Sequence, residues 1–567
     1  MIQRAKTEIA QRLTSLTGRP ESEIYGFLEV PKVYEHGHLA YPVFALAKDK
    51  RRPPAELANE LANELQGKIP GVKSIQAAGG FLNFTLTAEA LQNWLWQSLK
   101  DPTVPLGHNQ KLSGQTVVVD FSSPNVAKPM HVGHFRATII GQAIRNLAEA
   151  QGARVIGVNH IGDWGTQFGK LAWAYQQWHR EYDFTKDPIE SLLQLYVRFH
   201  DEAEKNPELE KFGAETFLKL EKGDPDIRRI WKEMVDVSFV EYNKLYAILG
   251  TKHDVVLGES FYNDRQEDVI QRLQAKGLLR ESEGAQVVFF DEKEKMPPCL
   301  IKKSDGASIY ATRDLAAAIY RHDVQKADQI LYVVGVDQSL HFRQVFRVLE
   351  LLGYDWAKNC HHIVFGQYRF KDGKMSTRKG KVVLFEDLIY QAIEMVTKMI
   401  DEKNPGLANK DLIARQIAAG AVIFNDLIND RVKNVDFDWD RAVNTEGDSG
   451  PYVQYTNVRC KSILRKYGRE VPGVLPRVLD TDEEQRLVFS LLQFGHVVDV
   501  AYRQFKPNVL AQYLLELCGH FSHFYHKNRI LGEPGAVEAS RIALVDATSR
   551  VLTAGLGLLN IPSPEAM

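Results

Sequence analysis

Two short segments carry residue types whose spacing suits phosphate chemistry. In the first, Pro124-Asn125-Val126-Ala127-Lys128-Pro129-Met130-His131-Val132-Gly133-His134, two imidazoles flank a valine and a glycine. Histidines can donate hydrogen bonds to phosphate oxygens, and Gly133 lets a base approach the backbone. An HxGH alone arises readily by chance, so its position decides its weight. It follows Thr116-Val117-Val118-Val119-Asp120-Phe121, a β-branched run that suits a strand buried on both faces of a parallel sheet. Apolar residues at Ile140, Ile144 and Leu147 then mark a helix, Gly152 closes it, and Arg154 to Val158 reads as the next strand. The motif therefore falls where a strand hands over to a helix, the place where doubly wound sheets bind phosphates. The second segment, Lys374-Met375-Ser376-Thr377-Arg378-Lys379-Gly380-Lys381, has four cations in eight residues. Alone it reads as a solvated basic turn. At the far end of the same domain it offers positive charge to a leaving pyrophosphate.

The elements that must position these residues can be followed along the chain. Helical periodicity runs from Met1 to about Leu16 and again from Pro54 to Leu65, and Gly79-Gly80 opens an alternating strand, Phe81 to Leu86. Residues 1–110 thus read as a small α/β unit. Residues 111–385 read as a Rossmann-like parallel-sheet domain with a charged helical insertion at about 170–285. Sheet-like runs return at Ile330–Val336 and His362–Tyr368. Residues 386–440 read as a helical connection and 441–567 as a helical bundle, with long amphipathic segments at Glu484–Tyr502, Asn508–Arg529 and Val537–Leu559. The expected fold class is multidomain, α/β plus all-α.

Composition narrows the setting. A chain of 567 residues exceeds a single core, and 44% hydrophobic with 25% charged residues is ordinary for a globular protein. A net charge of −2 disfavours nonspecific nucleic-acid coating but leaves room for an RNA enzyme with local basic surfaces. No apolar run reaches the roughly 20 residues of a membrane span, and no secretory leader is evident, so a cytoplasmic address is expected. Cys299, Cys360, Cys460 and Cys518 form no CxxC pair, which argues against structural zinc and for buried, reduced thiols.

HVGH and KMSTRKG resemble the two signature motifs of class I aminoacyl-tRNA synthetases. The resemblance covers nearly the whole chain and narrows to the arginyl branch, because Ser123-Pro124-Asn125-Val126-Ala127-Lys128, Asn159-His160-Ile161-Gly162-Asp163-Trp164-Gly165, Tyr310-Ala311-Thr312-Arg313-Asp314 and Gly450-Pro451-Tyr452-Val453-Gln454-Tyr455 are similar to blocks of that family. Gly79-Gly80-Phe81-Leu82-Asn83 resembles the extra domain with which that family grips the tRNA elbow. The resemblance implies ATP-dependent activation of L-arginine to the adenylate and its transfer to the terminal ribose of tRNA(Arg). Cysteinyl and glutaminyl synthetases, a small nucleotidylyltransferase and a non-catalytic tRNA-binding paralogue are the competing readings. The first lacks its zinc spacing here, the nucleotidylyltransferase needs neither terminal unit, and the paralogue ordinarily loses motif residues.

Roles follow from the same resemblance. His131, His134, Lys128, Lys374, Arg378 and Lys379 are candidates for stabilising the reacting phosphates. Pro124, Asn125, Gly133, Met375 and Ser376 join the histidines and Lys374 in the expected ATP site. The second motif departs from the family pattern at Thr377, where a lysine is usual, so Lys128, Arg378 or Lys379 must supply that charge. A guanidinium substrate demands a carboxylate partner. The resemblance offers Glu259 and Asp314 for it, with Tyr310 alongside and Asn159 and Gln338 for the α-amino and α-carboxylate groups. Candidate tRNA contacts are Phe81 and Asn83 at the elbow, and Tyr452, Tyr455, Arg459, Tyr525 and Arg529 towards the anticodon. ATP is expected with Mg²⁺ as a substrate complex, without a dedicated protein metal cage, and the protein is expected to act as a monomer.

Overall fold

Val117, Val118 and Val119 are wholly buried at the centre of a five-stranded parallel sheet. The computed structural model describes residues 3–31, 33–100, 105–184, 186–303, 310–370, 383–472 and 478–567. The strand Thr116–Asp120 pairs with Arg154–Asn159 on one side and Gln329–Tyr332 on the other, with Val255–Val256 and Cys360–His362 at the edges. The chain starts at the centre, fills one side, then crosses to fill the other. Both faces are covered, which is why the central run needs no polar alternation. Val117 and Val119 join the core beneath the Val132–Ala150 helix, while Val118 meets Tyr332 and Phe342 on the opposite face. That helix lies so close to the sheet that a Cβ on Gly141 would stand 2.2 Å from Phe121.

The insertion is helical as expected, with Thr166–Trp178, Pro188–Lys205, Glu208–Glu221 and Pro225–Leu249 around their own core of Leu192, Leu195, Phe199 and Met234. Three features differ from the sequence reading. The strands Leu279–Ser282, Ala285–Val288 and Cys299–Lys302 form a separate antiparallel sheet, too short for a period of two to stand out. The run Ile330–Val336 is strand only as far as Tyr332, and Val336–Gln338 turns in a short 3-10 segment. The run His362–Tyr368 is broken into two: one strand ends at His362, and Tyr368–Phe370 pairs instead with Val435–Phe437.

The N-terminal unit is a three-stranded antiparallel sheet, ordered Leu39–Pro42, Phe81–Leu86, Val72–Ala78, backed by helices. It docks on the C-terminal helices. Gln92 Oε1 accepts from the Leu479 amide at 2.8 Å, Arg550 donates to the Leu99 carbonyl at 3.0 Å, and His38 packs edge-on against Phe489. Gly450–Tyr467, Asp482–Arg503, Pro507–Lys527 and Gly535–Leu558 form the C-terminal bundle. All four cysteines are buried and unpaired. Among the described residues no helix is long and apolar enough to cross a membrane.

A buried ion pair ties the sheet domain to the helices that follow it. Arg136 and Asp426, 0% and 1% exposed, approach to 2.8 Å, and the Arg136 guanidinium also donates to the carbonyls of Gly366, Lys433 and Arg431. Tyr368 hydrogen-bonds to the same carboxylate. Burial raises the Asp426 carboxyl, and Arg136 and Tyr368 oppose that rise. Asp426→Asn leaves an uncompensated buried cation and should cost about 3–5 kcal/mol, read as a lower urea midpoint. The apolar double variant Arg136→Met with Asp426→Leu should lose much less, and an unchanged midpoint in Asp426→Asn would show that the pair does not hold these parts together.

Candidate active site

A cavity of about 920 Å³ opens at the carboxyl ends of Thr116–Asp120 and Gln329–Tyr332. These are the two strands between which the chain order reverses, and open α/β sheets bind ligands at such a crossing. Asp120, Ser122 and Ser123 line one wall, and Val333, Val334 and Gly335 the other. Ser122 and Ser123 hold left-handed backbone, with φ of 75° and 50°. Non-glycine residues rarely adopt this conformation, and it persists where surrounding bonds impose it. Here the Ser123 amide donates to Asn159, while Ser122 bonds with Tyr246 and Thr138.

The turn that follows places the two histidines. His131 caps the Val132–Ala150 helix, its Nδ1 accepting from the Gly133 amide at 3.0 Å. His134 Nδ1 accepts from the His131 amide at 3.1 Å, and the rings stack with centroids 3.8 Å apart. Because each Nδ1 is an acceptor, each proton belongs on Nε2. A Cβ at residue 133 would stand 2.7 Å from the His131 ring, so the cap itself requires glycine there. Burial lowers both imidazoles, and burial together with His131 takes His134 down to about 3. The pair is neutral at pH 7. It presents donors at a helix N-terminus, where phosphate oxygens are favoured.

Lys374, Met375, Ser376, Arg378 and Lys379 lie outside the described residues. Both flanks of their segment meet the histidine turn. Tyr368 lines the cavity, the Phe385 amide bonds to the Met130 carbonyl at 2.9 Å, and His131 bridges to Leu384.

The carboxylates expected for a guanidinium line the same cavity. Asp314, entering the second turn of the Tyr310–Asp323 helix, lies 2.5 Å from His341 Nε2 and 3.9 Å from His160 Nε2. Burial would raise its carboxyl, but His341, His160 and Arg321 hold it below the ordinary value. Glu259 opens the turn Glu259–Arg265 and pairs with Arg313. Burial lifts its carboxyl to about 7 against the pull of Arg313, and Asp314 and Asp163 add to the rise. Tyr310 is largely exposed with the Arg313 guanidinium over its ring, and Gln338 stands exposed at the rim.

Other expected residues are placed differently. Asn159 is 0% exposed and both ends of its amide are engaged, by Ser123 and Tyr246, so it props the serine turn and does not line the cavity. Pro124 contributes its carbonyl to Gly162, and Asn125 lines the cavity. The Lys128 ammonium lies over Tyr196, 4.9 Å from the ring centroid, on the side of the helical insertion. Asn83 is nearly covered within its strand, while Phe81 sits edge-on to the exposed ring of Phe44. In the C-terminal helices the Arg459 guanidinium lies between the rings of Tyr455 and Tyr525, 5.0 and 5.3 Å away, and both rings are exposed. Tyr452 is half-buried, and Arg529 Nε bonds to the nearby Leu531 carbonyl. Sequence reasoning gave no role to His160, Arg313 or His341. The first two sit inside blocks already noted, and His341 follows the crossing strand Gln329–Tyr332, a position that could have singled it out.

The crossover cavity, lined by a capped imidazole pair and two partly buried carboxylates, belongs to a class I synthetase catalytic domain: residues 101–439 match the family model "tRNA synthetases class I (R), catalytic domain". Residues 3–86 match the arginyl tRNA synthetase N-terminal domain and 453–567 the DALR anticodon binding domain. The chain belongs to the arginyl-tRNA synthetase family. Among its relatives, the arginine–tRNA ligase of Exiguobacterium sibiricum is 45% identical over 99% of this chain and 100% of its own. That of Alkaliphilus metalliredigens is 40% identical over 99% of each chain. The arginyl-tRNA synthetase structure from Thermus thermophilus superposes with a TM-score of 0.85 at 27% identity, covering 100% of both chains.

The raised Glu259 carboxyl sets a pH dependence. A protonated Glu259 cannot pair with a guanidinium, so affinity for arginine should climb as pH rises through about 7 and level off above it. Equilibrium dialysis across pH 6 to 9 checks this, with Glu259→Gln binding more weakly and without the climb. A flat profile in the unaltered protein would remove Glu259 from the pocket.

Proposed function

We propose that this protein charges tRNA(Arg): it activates L-arginine with ATP and passes the arginyl group to the terminal ribose of the tRNA. The observation that carries this reading is one cavity lined both by neutral imidazole donors and by two acids suited to a guanidinium. ATP would enter as its Mg²⁺ complex beside His131 and His134, with Asn125 and Gly133 framing the turn. The arginine carboxylate attacks the α-phosphorus, and pyrophosphate leaves. The 2′-hydroxyl of the terminal nucleotide then takes the arginyl group. No covalent enzyme intermediate is needed, so the side chains act by positioning and by stabilising charge.

Asp314, Glu259 and Tyr310 would receive the side chain of the substrate, and Gln338 its carboxylate end. For the leaving pyrophosphate the candidates are Lys374, Arg378, Lys379 and Lys128. Among the described residues the Lys128 ammonium meets a ring face and a 3.5 Å contact with Gln167, so little there opposes its redirection. The Tyr455–Arg459–Tyr525 stack suits unpaired anticodon bases, since exposed rings and a guanidinium face can stack on any base. Phe81 with Phe44 is the corresponding surface for the tRNA elbow. We place the protein in the cytoplasm, acting as a monomer and binding tRNA before activation.

Charging assays with radiolabelled arginine, lysine, glutamine and cysteine test the reaction, and only arginine should be joined to tRNA, in an ATP-dependent way. Asp314→Asn should weaken arginine use by roughly 2–5 kcal/mol, the range for truncating one partner of a buried charge pair. Unaltered arginine kinetics in that variant would remove the residue from the pocket. His134→Ala should slow tRNA-dependent pyrophosphate exchange on the order of 100- to 1,000-fold, and a normal exchange rate would contradict its role at the phosphates.

A further inference from the structure

Arg313 already sits where the reading above places the substrate's guanidinium. Its side chain is about as buried as that of Glu259, at 10% and 14% exposure, and the two are paired. Its guanidinium stands 5.1 Å from the centroid of the Tyr310 ring. Glu259 and Tyr310 are two of the three side chains assigned to the incoming arginine. The fit is incomplete, because among the described residues the buried Arg313 Nε has no hydrogen-bond partner. Such a donor is costly to leave unmet.

Arg313 and Tyr310 also form the partition between two cavities. The second, of about 930 Å³, lies towards the helical insertion and is lined by Trp164, Glu221, Trp231 and Ser260. Glu221 is the last residue of the Glu208–Glu221 helix. Glu221 is exposed and lines this cavity together with Arg313; burial raises its carboxyl and the charge of Arg313 opposes that rise. Arg313 thus pairs with one carboxylate and shares a cavity with a second.

We propose that Arg313 stands in for the substrate's guanidinium in the free protein, and that arginine enters by displacing it from Glu259 towards Glu221. This deepens the proposed function and rests on it. The exchange returns a guanidinium to Glu259 only when the ligand brings one. A lysine ammonium is a compact point charge without the planar fork, so it repays the displacement poorly. Arg313 therefore acts as a specificity-determining residue as well as a gate: a competitor must match an occupant already in place.

Equilibrium dialysis of radiolabelled L-arginine and L-lysine, with tRNA present and ATP absent, tests the exchange through a cycle of E221Q, R313M and the double variant. Removing the Glu221 charge leaves the displaced Arg313 without a carboxylate to move to, so E221Q should weaken arginine binding about threefold to fivefold, the upper range for a partly exposed ion pair. In the R313M background the same change should do nothing. R313K, which keeps a cation, should restore the dependence on Glu221, and R313M should narrow the preference for arginine over lysine. An equal loss from E221Q in both backgrounds would mean that Glu221 attracts the substrate directly, and would overturn the exchange. Unchanged binding in E221Q would overturn it as well. If the unaltered protein bound no arginine, the functional reading itself would fail, and the exchange with it.

Discussion

The guanidinium of Arg136 has no water to turn to, and much of the molecule is arranged to meet its donors. It is 0% exposed, and its partners come from three separate stretches: Asp426, the Gly366 carbonyl, and the carbonyls of Arg431 and Lys433. Removing a charge from water costs several kcal/mol, repaid only where geometry and hydrogen bonds are complete. Such a group leaves little freedom to the pieces around it. The Val132–Ala150 helix carries Arg136 in its second turn and His131 at its cap. Fixing one therefore fixes the other. The same carbonyls hold the chain at Gly366, two residues before Tyr368 enters the cavity wall. The position of the imidazoles is thus set from the far side of their own helix, by the connection to the C-terminal bundle.

Inside the cavity neutral donors and acids are held by different elements. At the histidine turn burial keeps both imidazoles neutral, and a neutral ring with its proton on Nε2 donates without adding charge. In the same cavity, burial and histidine contacts push two acids in opposite directions, Glu259 up and Asp314 down. Asp314 is the acid that stays ionised throughout the working range, while Glu259 sits close to the point at which it gains or loses a proton. Behind them a second buried pair, Arg321 with Asp120 at 2.8 Å, joins the helix that carries Asp314 to the strand that carries the serine turn. The two walls are consequently linked through the sheet itself.

The strand Thr116–Asp120, its helix and the histidine turn were legible because period, apolar content and turn chemistry agree there. Helices such as Pro54–Leu65 were read to the residue for the same reason. What escaped depends on contacts between distant segments. No local pattern pairs His341 with Asp314, or Arg136 with Asp426 some 290 residues later. The antiparallel strands at 279–302 are four residues each, too brief for alternation to register. Nor does a local pattern show that the Asn159 amide bonds to Ser123 and Tyr246. Phe521 and Phe524 are buried while His523, Tyr525 and His526 face out, a split that a mixed aromatic run predicts only in part.

The seating of the N-terminal unit on the C-terminal helices bears on how the chain is made. The bond from Leu479 to Gln92 spans 387 residues, and the helix Ala88–Leu99 packs against Asp482–Arg503. At ribosomal speeds of about 5–20 residues per second, the first unit waits roughly 20–80 s for the surface that will cover it. Throughout that interval the flank of Ala88–Leu99 destined for the bundle is open to other nascent chains. Holding chaperones therefore have a defined window and a defined face, and slowing translation beyond residue 100 lengthens the exposure without altering the finished fold.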